Sequence, residues 1–247
     1  MKICIVSRDK RYIRVNELLY EKGYDSALCA QDEIPHCDVL ILSVRDELTD
    51  IELKNMFSHL SNKAVVLCGN AQRIKQFFGG NVIDYSLYES FLMKNAYLTA
   101  EAAVSYLHSL TQESINGKRI FISGYGRIGK ALSKILAGLG ADVCVYARRN
   151  ETKMLVRTDG YLSVNLEDCI NHQIIINTVP NIIFQNELID RIPNDAYIID
   201  LASSPYGFEN MQRVHTASGL PGKVLSKSAA MAVFDTILSI LSSTGKE

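Results

Sequence analysis

Six residues, Gly124-Tyr125-Gly126-Arg127-Ile128-Gly129, have the types and spacing of a turn that holds phosphate. The first glycine permits a tight bend from strand to helix. The second lets the backbone approach a diphosphate with no Cβ in the way, and the third lets helix and strand pack closely. Glycines alone are weak evidence, but here the context agrees. An apolar β-branched run over 118–123 precedes the turn, a helix is expected over 128–139 with Gly138 and Gly140 at its end, and a second strand follows over 141–147. At such a turn the exposed N–H groups and the helix dipole stabilise an anion. All six residues are therefore predicted to contact a dinucleotide.

The end of that second strand bears on which dinucleotide. A site for NAD usually has Asp or Glu about 20 residues past the first glycine, accepting from the ribose 2′-hydroxyl. This chain has Ala147 there, followed by Arg148 and Arg149. A carboxylate would repel a 2′-phosphate, whereas a guanidinium binds one through charge-assisted hydrogen bonds. The reading is NADP, the alternative being that both arginines merely solvate a strand end. Further along, Ile174-Ile175-Ile176-Asn177-Thr178-Val179-Pro180 reads as a buried parallel strand ending in polar residues. Ligands of parallel sheets lie beyond the carboxyl ends of strands, so Asn177, Thr178, Val179 and Pro180 are expected at the nicotinamide half, with Asn177 a catalytic candidate. Asp200 and Ala202 end the next strand and are expected near the cofactor, although Asp200 could equally be a loop cap.

Those residues need elements to position them. Short β-branched runs alternate with helix-length amphipathic stretches, the pattern of βαβ units and parallel sheets. Strands are expected at 2–6, 25–30, 38–44, 63–68 and 81–84, then at 119–123, 142–147, 174–178, 197–201 and 214–216. Helices are expected at 12–22, 50–60 and 72–78, one or two over 87–110, and a last one over 226–241. The fold class is α/β with two Rossmann-like lobes, the second a doubly wound dinucleotide-binding domain. Residues 1–94 form a flavodoxin-like substrate-side domain, 95–225 the NADP domain with its connecting helix, and 226–247 a C-terminal helix that packs back on the first lobe. A single doubly wound domain with a long N-terminal extension is the other arrangement the pattern allows.

Composition excludes several classes. The 247 residues carry 26 basic and 27 acidic side chains, a net charge of −1, with 47% apolar and 21% charged residues. That balance has no electrostatic footprint for nucleic acid or an anionic membrane. No apolar run approaches the roughly 20 residues of a membrane span. The first residues, Met1-Lys2-Ile3-Cys4-Ile5-Val6, read as a strand rather than a leader, so a soluble cytoplasmic protein is expected. Six cysteines and five histidines are dispersed without metal-ligand spacing, and no metal is expected.

Beyond the glycine turn, an ordered set of segments carries a resemblance. It comprises Lys94-Asn95-Ala96-Tyr97-Leu98-Thr99-Ala100-Glu101, the turn itself, Asn177-Thr178-Val179-Pro180, Ile199-Asp200-Leu201-Ala202-Ser203, and Ser218-Gly219-Leu220-Pro221-Gly222 with Ser226-Lys227-Ser228. Together these resemble the dipicolinate synthase A-subunit family of endospore-forming bacteria, densely from about residue 95 to 241 and more thinly before that. The resemblance implies NADP-linked dehydrogenation of a dihydro- or hydroxytetrahydropyridine dicarboxylate to pyridine-2,6-dicarboxylate, in a branch from the diaminopimelate and lysine pathway. It also implies a flavoprotein-like second subunit, the dipicolinate synthase B-subunit, with homo-oligomers also to be considered, and a substrate held between the lobes. Two features depart from the family: Ser204 stands where an arginine is usual, and the loop near 43–47 is short.

A dicarboxylate needs cationic or N–H donors at both ends. Arg8 and Arg11 after the first strand, Asn95 and Thr99 at the start of the connecting helix, and Ser203, Gly222, Ser226 and Ser228 are the substrate candidates. Thr99 could instead be a helix N-cap. Lys227 joins the catalytic candidates, and Asp9 or Glu101 could serve as general base. Two other functions fit the same scaffold: a dehydrogenase of another small hydroxy, keto or imino acid, and a dinucleotide-binding regulatory subunit without turnover. Against the first, His215 follows no Glu in the manner of hydroxy-acid dehydrogenases.

Overall fold

A computed structural model describes residues 1–32, 34–44 and 48–244. In chain order the elements are β1 (Lys2–Val6), α1 (Arg11–Glu21), β2 (Asp25–Leu28), β3 (Val39–Leu42), α2 (Asp50–Ser58), β4 (Val65–Cys68), α3 (Ala71–Ile74) and β5 (Asn81–Asp84). A 3-10 turn, Tyr85–Leu87, leads into α4 (Glu89–Thr111). Then come β6 (Arg119–Ser123), α5 (Arg127–Gly138), β7 (Asp142–Tyr146), α6 (Asn150–Thr158), β8 (Leu162–Val164), a 3-10 stretch Leu166–Asn171, and β9 (Ile174–Asn177). The chain closes with α7 (Asn186–Ile189), β10 (Tyr197–Asp200), β11 (Val214–Thr216), α8 (Leu220–Val224) and α9 (Ser226–Thr244).

These elements form two compact units, Met1–Asn95 with Leu225–Glu247, and Ala96–Val224. Each contains one wholly parallel sheet, so the chain is an α/β protein with two Rossmann-like lobes. In the first, the strand order is β2-β1-β3-β4-β5. Residues on β1 alternate between its two faces. Ile3 and Ile5 join Val15 and Leu19 of α1 and Val233, Phe234 and Ile237 of α9, while Cys4 and Val6 join Leu53, Met56 and Phe57 of α2. Strand β3, Val39-Leu40-Ile41-Leu42, is buried throughout, because helices cover both faces of the sheet.

The second unit has the order β11-β10-β9-β6-β7-β8. Strand β6 lies between β7 and β9, so the chain reverses its direction of winding at the β6/β9 boundary. Ligands of open α/β sheets bind outside the carboxyl ends of strands at such a boundary. The core on one face is aromatic: Phe184 and Phe208 stack with ring centroids 4.3 Å apart, and Phe121 meets Phe184 edge-on.

Several expected boundaries shift. The strands expected at 25–30, 38–44, 142–147, 174–178 and 197–201 each stop one or two residues sooner, where the backbone leaves the ladder for the loops at the carboxyl edge. The helix expected over 72–78 contracts to α3 and a following turn, and 87–110 is one helix, α4. Elements α6, β8, α7 and α8 were not among the expectations. Only Val156 of α6 is buried in an otherwise largely polar helix, and β8 is a three-residue edge strand, so each offers few apolar residues to mark it in the sequence. The short loop of the family comparison falls partly on Arg45–Glu47, outside the described residues.

Candidate functional site

The glycine turn joins β6 to α5, and its three glycines are needed for three different reasons. Gly124 has φ +94°, and a Cβ there would come within 2.5 Å of Thr178 Oγ1 and 2.8 Å of Val179 Cγ2. Gly129 has no room for a Cβ, which would overlap the Gly124 carbonyl oxygen; helix and turn touch at that point. Gly126, the N-cap of α5, is the opposite case: a Cβ would meet no protein atom within 4 Å, so what its absence leaves is open space on the ligand side. No side chain caps α5, and N–H groups at a helix start have no intrahelical acceptor. That cradle fits a diphosphate.

A cleft of about 380 Å³ opens here, lined by Gly124, Tyr125 and Gly126, by Arg148, Arg149 and Thr152 on the β7 side, and by Thr178, Val179 and Pro180 on the β9 side. Ala147 is 3% exposed, so the position where a ribose-binding acid would stand holds a buried methyl. Arg148 and Arg149 are exposed, and among the described residues neither side chain makes an ion pair or hydrogen bond. Arg149 is also the N-cap of α6. Tyr125, although in the turn, turns its ring inward: its hydroxyl donates to Asp159 Oδ2 at 2.7 Å, beyond the far end of α6, and Lys130 Nζ sits 5.5 Å from its ring centroid. Burial and the neighbouring Asp159 carboxylate both push the phenol pKa up, so it stays protonated. Arg127 and Ile128 open α5 on its outer side. Tyr146, Thr152, Asn181 and Ile183 also line the cleft and escaped the sequence reading; only Thr152, three residues beyond the arginine pair, had a positional signal.

The carboxyl ends of β9 and β10 correct two expectations. Asn177 is wholly buried. Its Oδ1 accepts from Ser123 Oγ at 2.6 Å and from the Val179 N–H at 3.0 Å; its Nδ2 donates to the Val179 carbonyl and to Asp200 Oδ1, both at 2.9 Å. With both amide atoms engaged and no exposure, it is not placed to act on a substrate. Asp200 is equally buried and faces the protein, not the cofactor cleft. Besides Asn177 it accepts from the Ala202 N–H at 2.8 Å and the Gly207 N–H at 2.7 Å. It is the loop cap of the two readings. Burial raises its pKa, against the pull of those three donors. Ala202 is buried on the same loop, whereas Ser203 is exposed.

In the first unit the candidates are largely engaged. Arg11 Nε donates to Asp9 Oδ1 at 3.1 Å and to Oδ2 at 2.8 Å, and Arg11 Nη2 donates to Oδ2 at 2.5 Å. Burial raises the Asp9 pKa, but the Arg11 hydrogen bonds and charge outweigh it and hold the carboxyl below its ordinary value. That makes Asp9 a poor general base. Arg8 reaches Glu52 at 2.9 Å and Gln31 at 3.4 Å. Behind this edge, Tyr12 and Tyr85 share a buried hydroxyl–hydroxyl hydrogen bond. The Val44 N–H donates to Tyr12 and Tyr85 donates to the Leu42 carbonyl, which ties down the end of β3. Burial pushes the Tyr12 phenol up to about 12.

Helix α4 begins at Glu89, so Asn95, Thr99 and Glu101 lie inside it, and Thr99 is no N-cap. Thr99 is buried and Glu101 exposed. Gly222 lies in α8, while Ser226, Lys227 and Ser228 form the exposed first turn of α9. Among the described residues, no three His, Cys, Asp or Glu side chains are grouped to hold a metal, and no helix is long and apolar enough to cross a membrane.

Residues 87–206 match the family model of the D-isomer specific 2-hydroxyacid dehydrogenase NAD-binding domain. The match is to a nicotinamide-binding domain, which indicates a nicotinamide dinucleotide cofactor and supports an oxidoreductase. Over 98% of its length the chain is 25% identical to the dipicolinate synthase A-subunit of Bacillus subtilis, covering 96% of that protein. The solved structure of the dipicolinate synthase A-subunit from Bacillus halodurans superposes with a TM-score of 0.80 at 20% identity, over 97% of both chains. A transhydrogenase from Sinorhizobium meliloti reaches 0.74 at 16% identity, over 97% of this chain and 94% of that one.

Proposed function

We propose that this chain, similar to the dipicolinate synthase A-subunit over nearly its whole length, is an NADP-dependent dehydrogenase that oxidises a dihydro- or hydroxytetrahydropyridine dicarboxylate to dipicolinate. The observation that carries the cofactor half is the pair Arg148 and Arg149, whose side chains have no partner among the described residues, at the rim of the cleft beside a buried Ala147 where an acid would favour NAD. The dinucleotide, when bound, supplies the hydride acceptor. The chain's own tasks are to hold it and to align the ring against it. Backbone N–H groups from 125 to 129 bind the diphosphate, the two guanidiniums bind the 2′-phosphate, and Thr178, Val179 and Pro180 wall the nicotinamide end.

The dicarboxylate half of the proposal rests on the family resemblance and on candidate donors at Arg8, Arg11, Asn95, Thr99, Ser203, Gly222, Ser226, Lys227 and Ser228. Because Arg11 already holds Asp9, the exposed Glu101 is the better candidate to take the ring proton. Ser204 replaces one anchor that the family usually carries. A flavoprotein-like second subunit completes the enzyme in the cytoplasm of a spore-forming cell. The test is absorbance at the reduced-nicotinamide band with NADP or NAD and the condensation product of pyruvate and aspartate semialdehyde. Signal with NADP, alone or after adding the second subunit, supports the proposal. A preference for NAD removes the cofactor assignment, and binding without turnover under every condition favours a regulatory subunit. The family match at residues 87–206 favours one other reading, oxidation of a different small hydroxy acid, which the same assay decides by substrate.

A further inference from the structure

Strands β6, β9 and β10 are joined at their carboxyl ends by side chains as well as by their ladders. Ser123 Oγ donates to Asn177 Oδ1, Asn177 Nδ2 donates to Asp200 Oδ1, and the Gly207 N–H donates to Asp200 Oδ2, at 2.6, 2.9 and 2.7 Å. Ser123, Asn177 and Asp200 are all wholly buried. Asn177 uses this network to grip the residue two positions ahead, bonding both the N–H and the carbonyl of Val179. Thr178 is held just as fully, its N–H and Oγ1 both donating to the Ser123 carbonyl at 2.9 and 2.8 Å. Gly207 must be glycine for the same reason, since a Cβ there would overlap the Asn177 amide. The dipeptide so fixed, Thr178-Val179, is the β9 wall of the dinucleotide cleft and leaves no room for a Cβ on Gly124.

We infer that Ser123, Asn177 and Asp200 are positioning residues that hold the Thr178–Val179 wall where the nicotinamide half of the cofactor must seat, and that they leave the adenosine half to β7. The inference rests on the dinucleotide reading above and adds a division of labour within it. Strand order supports the division: β7 with Arg148 and Arg149 lies on one side of the glycine turn, and β9 with its wall on the other. Burial and full hydrogen bonding exclude these three side chains from touching substrate, yet each acts on a cleft-lining residue within one bond or two. A group needed only for folding would affect both halves of the ligand alike.

The test compares NADP with 2′,5′-ADP, which carries the adenosine half and both of its phosphates but no nicotinamide. Asn177→Asp keeps the volume and turns the Nδ2 donor into an oxygen facing two acceptors, the Val179 carbonyl and Asp200 Oδ1. By titration calorimetry it should weaken NADP about tenfold, the loss expected when a buried donor becomes a mismatched acceptor, with 2′,5′-ADP held within about twofold. Should that variant not fold, Ser123→Ala removes only one donor and makes the same comparison, with NADP weakened about threefold and the fragment unchanged. Equal losses for both ligands, or no loss for either, would overturn the inference alone. Wild-type protein that binds neither ligand would overturn the dinucleotide reading and this inference together.

Discussion

In the unit built on β6, Arg148 and Arg149 follow the carboxyl end of a strand with no carboxylate among the described residues to meet them. In the unit built on β1, Arg8 and Arg11 follow the same end of a strand, and each already holds a carboxylate, Glu52 and Asp9. The buried polar networks differ in the same sense. Around Asn177 the bonds reach Val179, which lines a cleft, whereas around Tyr12 and Tyr85 they end on the backbone at Leu42 and Val44, where β3 finishes. One parallel-sheet plan is thus finished in two ways: in the second unit charge and backbone donors face an open cleft, and in the first they secure the unit's own edge. A cation with an internal partner contributes to the fold, but an external anion must displace that partner before it can bind.

Substitutions can break this contrast, and the largest effect is expected at Gly126. Gly126→Val should abolish measurable NADP binding in calorimetry while leaving the melting temperature in place, because a Cβ there meets no protein atom within 4 Å. Unchanged affinity would show that the turn is not a ligand cradle. Next is the arginine pair. Arg148→Ala with Arg149→Ala should cost NADP about 1.5–4 kcal/mol of binding and NAD almost nothing, from lost charge-assisted hydrogen bonds. Equal losses for the two cofactors would sink the phosphate assignment.

On the other side of the comparison, Tyr12→Phe removes the buried hydroxyl that pairs with Tyr85 and accepts from the partly buried Val44 N–H, and should lower unfolding stability by about 1–3 kcal/mol in urea titrations, without changing NADP affinity. A large affinity change would mean that the first unit's network also serves the cofactor. The smallest effect is one of pH. The Asp9 pKa lies below its unfolded value of about 3.8, so its pair with Arg11 adds stability above that pH, and the contribution is lost as pH falls from there through the folded value. Asp200 is raised, so its contribution is present below pH 3.8 and is lost as pH rises from there through its folded value. Acid unfolding of Asp9→Asn should therefore have a flatter limb below pH 4 than the wild type, and Asp200→Asn should not.

The sequence announced the sheets because helices cover both faces, which forces runs such as Val39–Leu42 and Ile174–Ile176 to be apolar without interruption. It announced the glycine turn because close packing forbids a Cβ at Gly124 and Gly129, and a third glycine stands between them where the cleft opens. It did not announce α6 or β8, because α6 is largely polar with one buried residue and β8 is only three residues long. Residue type also failed to separate Asn177 and Asp200 from Arg148 and Arg149. All four stand at strand ends, and only burial and hydrogen-bond partners distinguish polar groups that brace a cleft from those that face it. The same blindness made Asp9 look available as a base when Arg11 holds it.

Helix α6 is fastened by one buried side chain, Val156, and by the Tyr125 hydroxyl reaching Asp159; Met154 and Leu155 are 65% and 46% exposed. A segment moored so lightly can accept new residues around Arg148 and Arg149 without disturbing the sheet behind it. On the proposed reading of the arginine pair, discrimination between phosphorylated and unphosphorylated dinucleotides is a trait open to a few point changes, whereas each member of the buried Ser123–Asn177–Asp200 brace is tied to the others by hydrogen bonds.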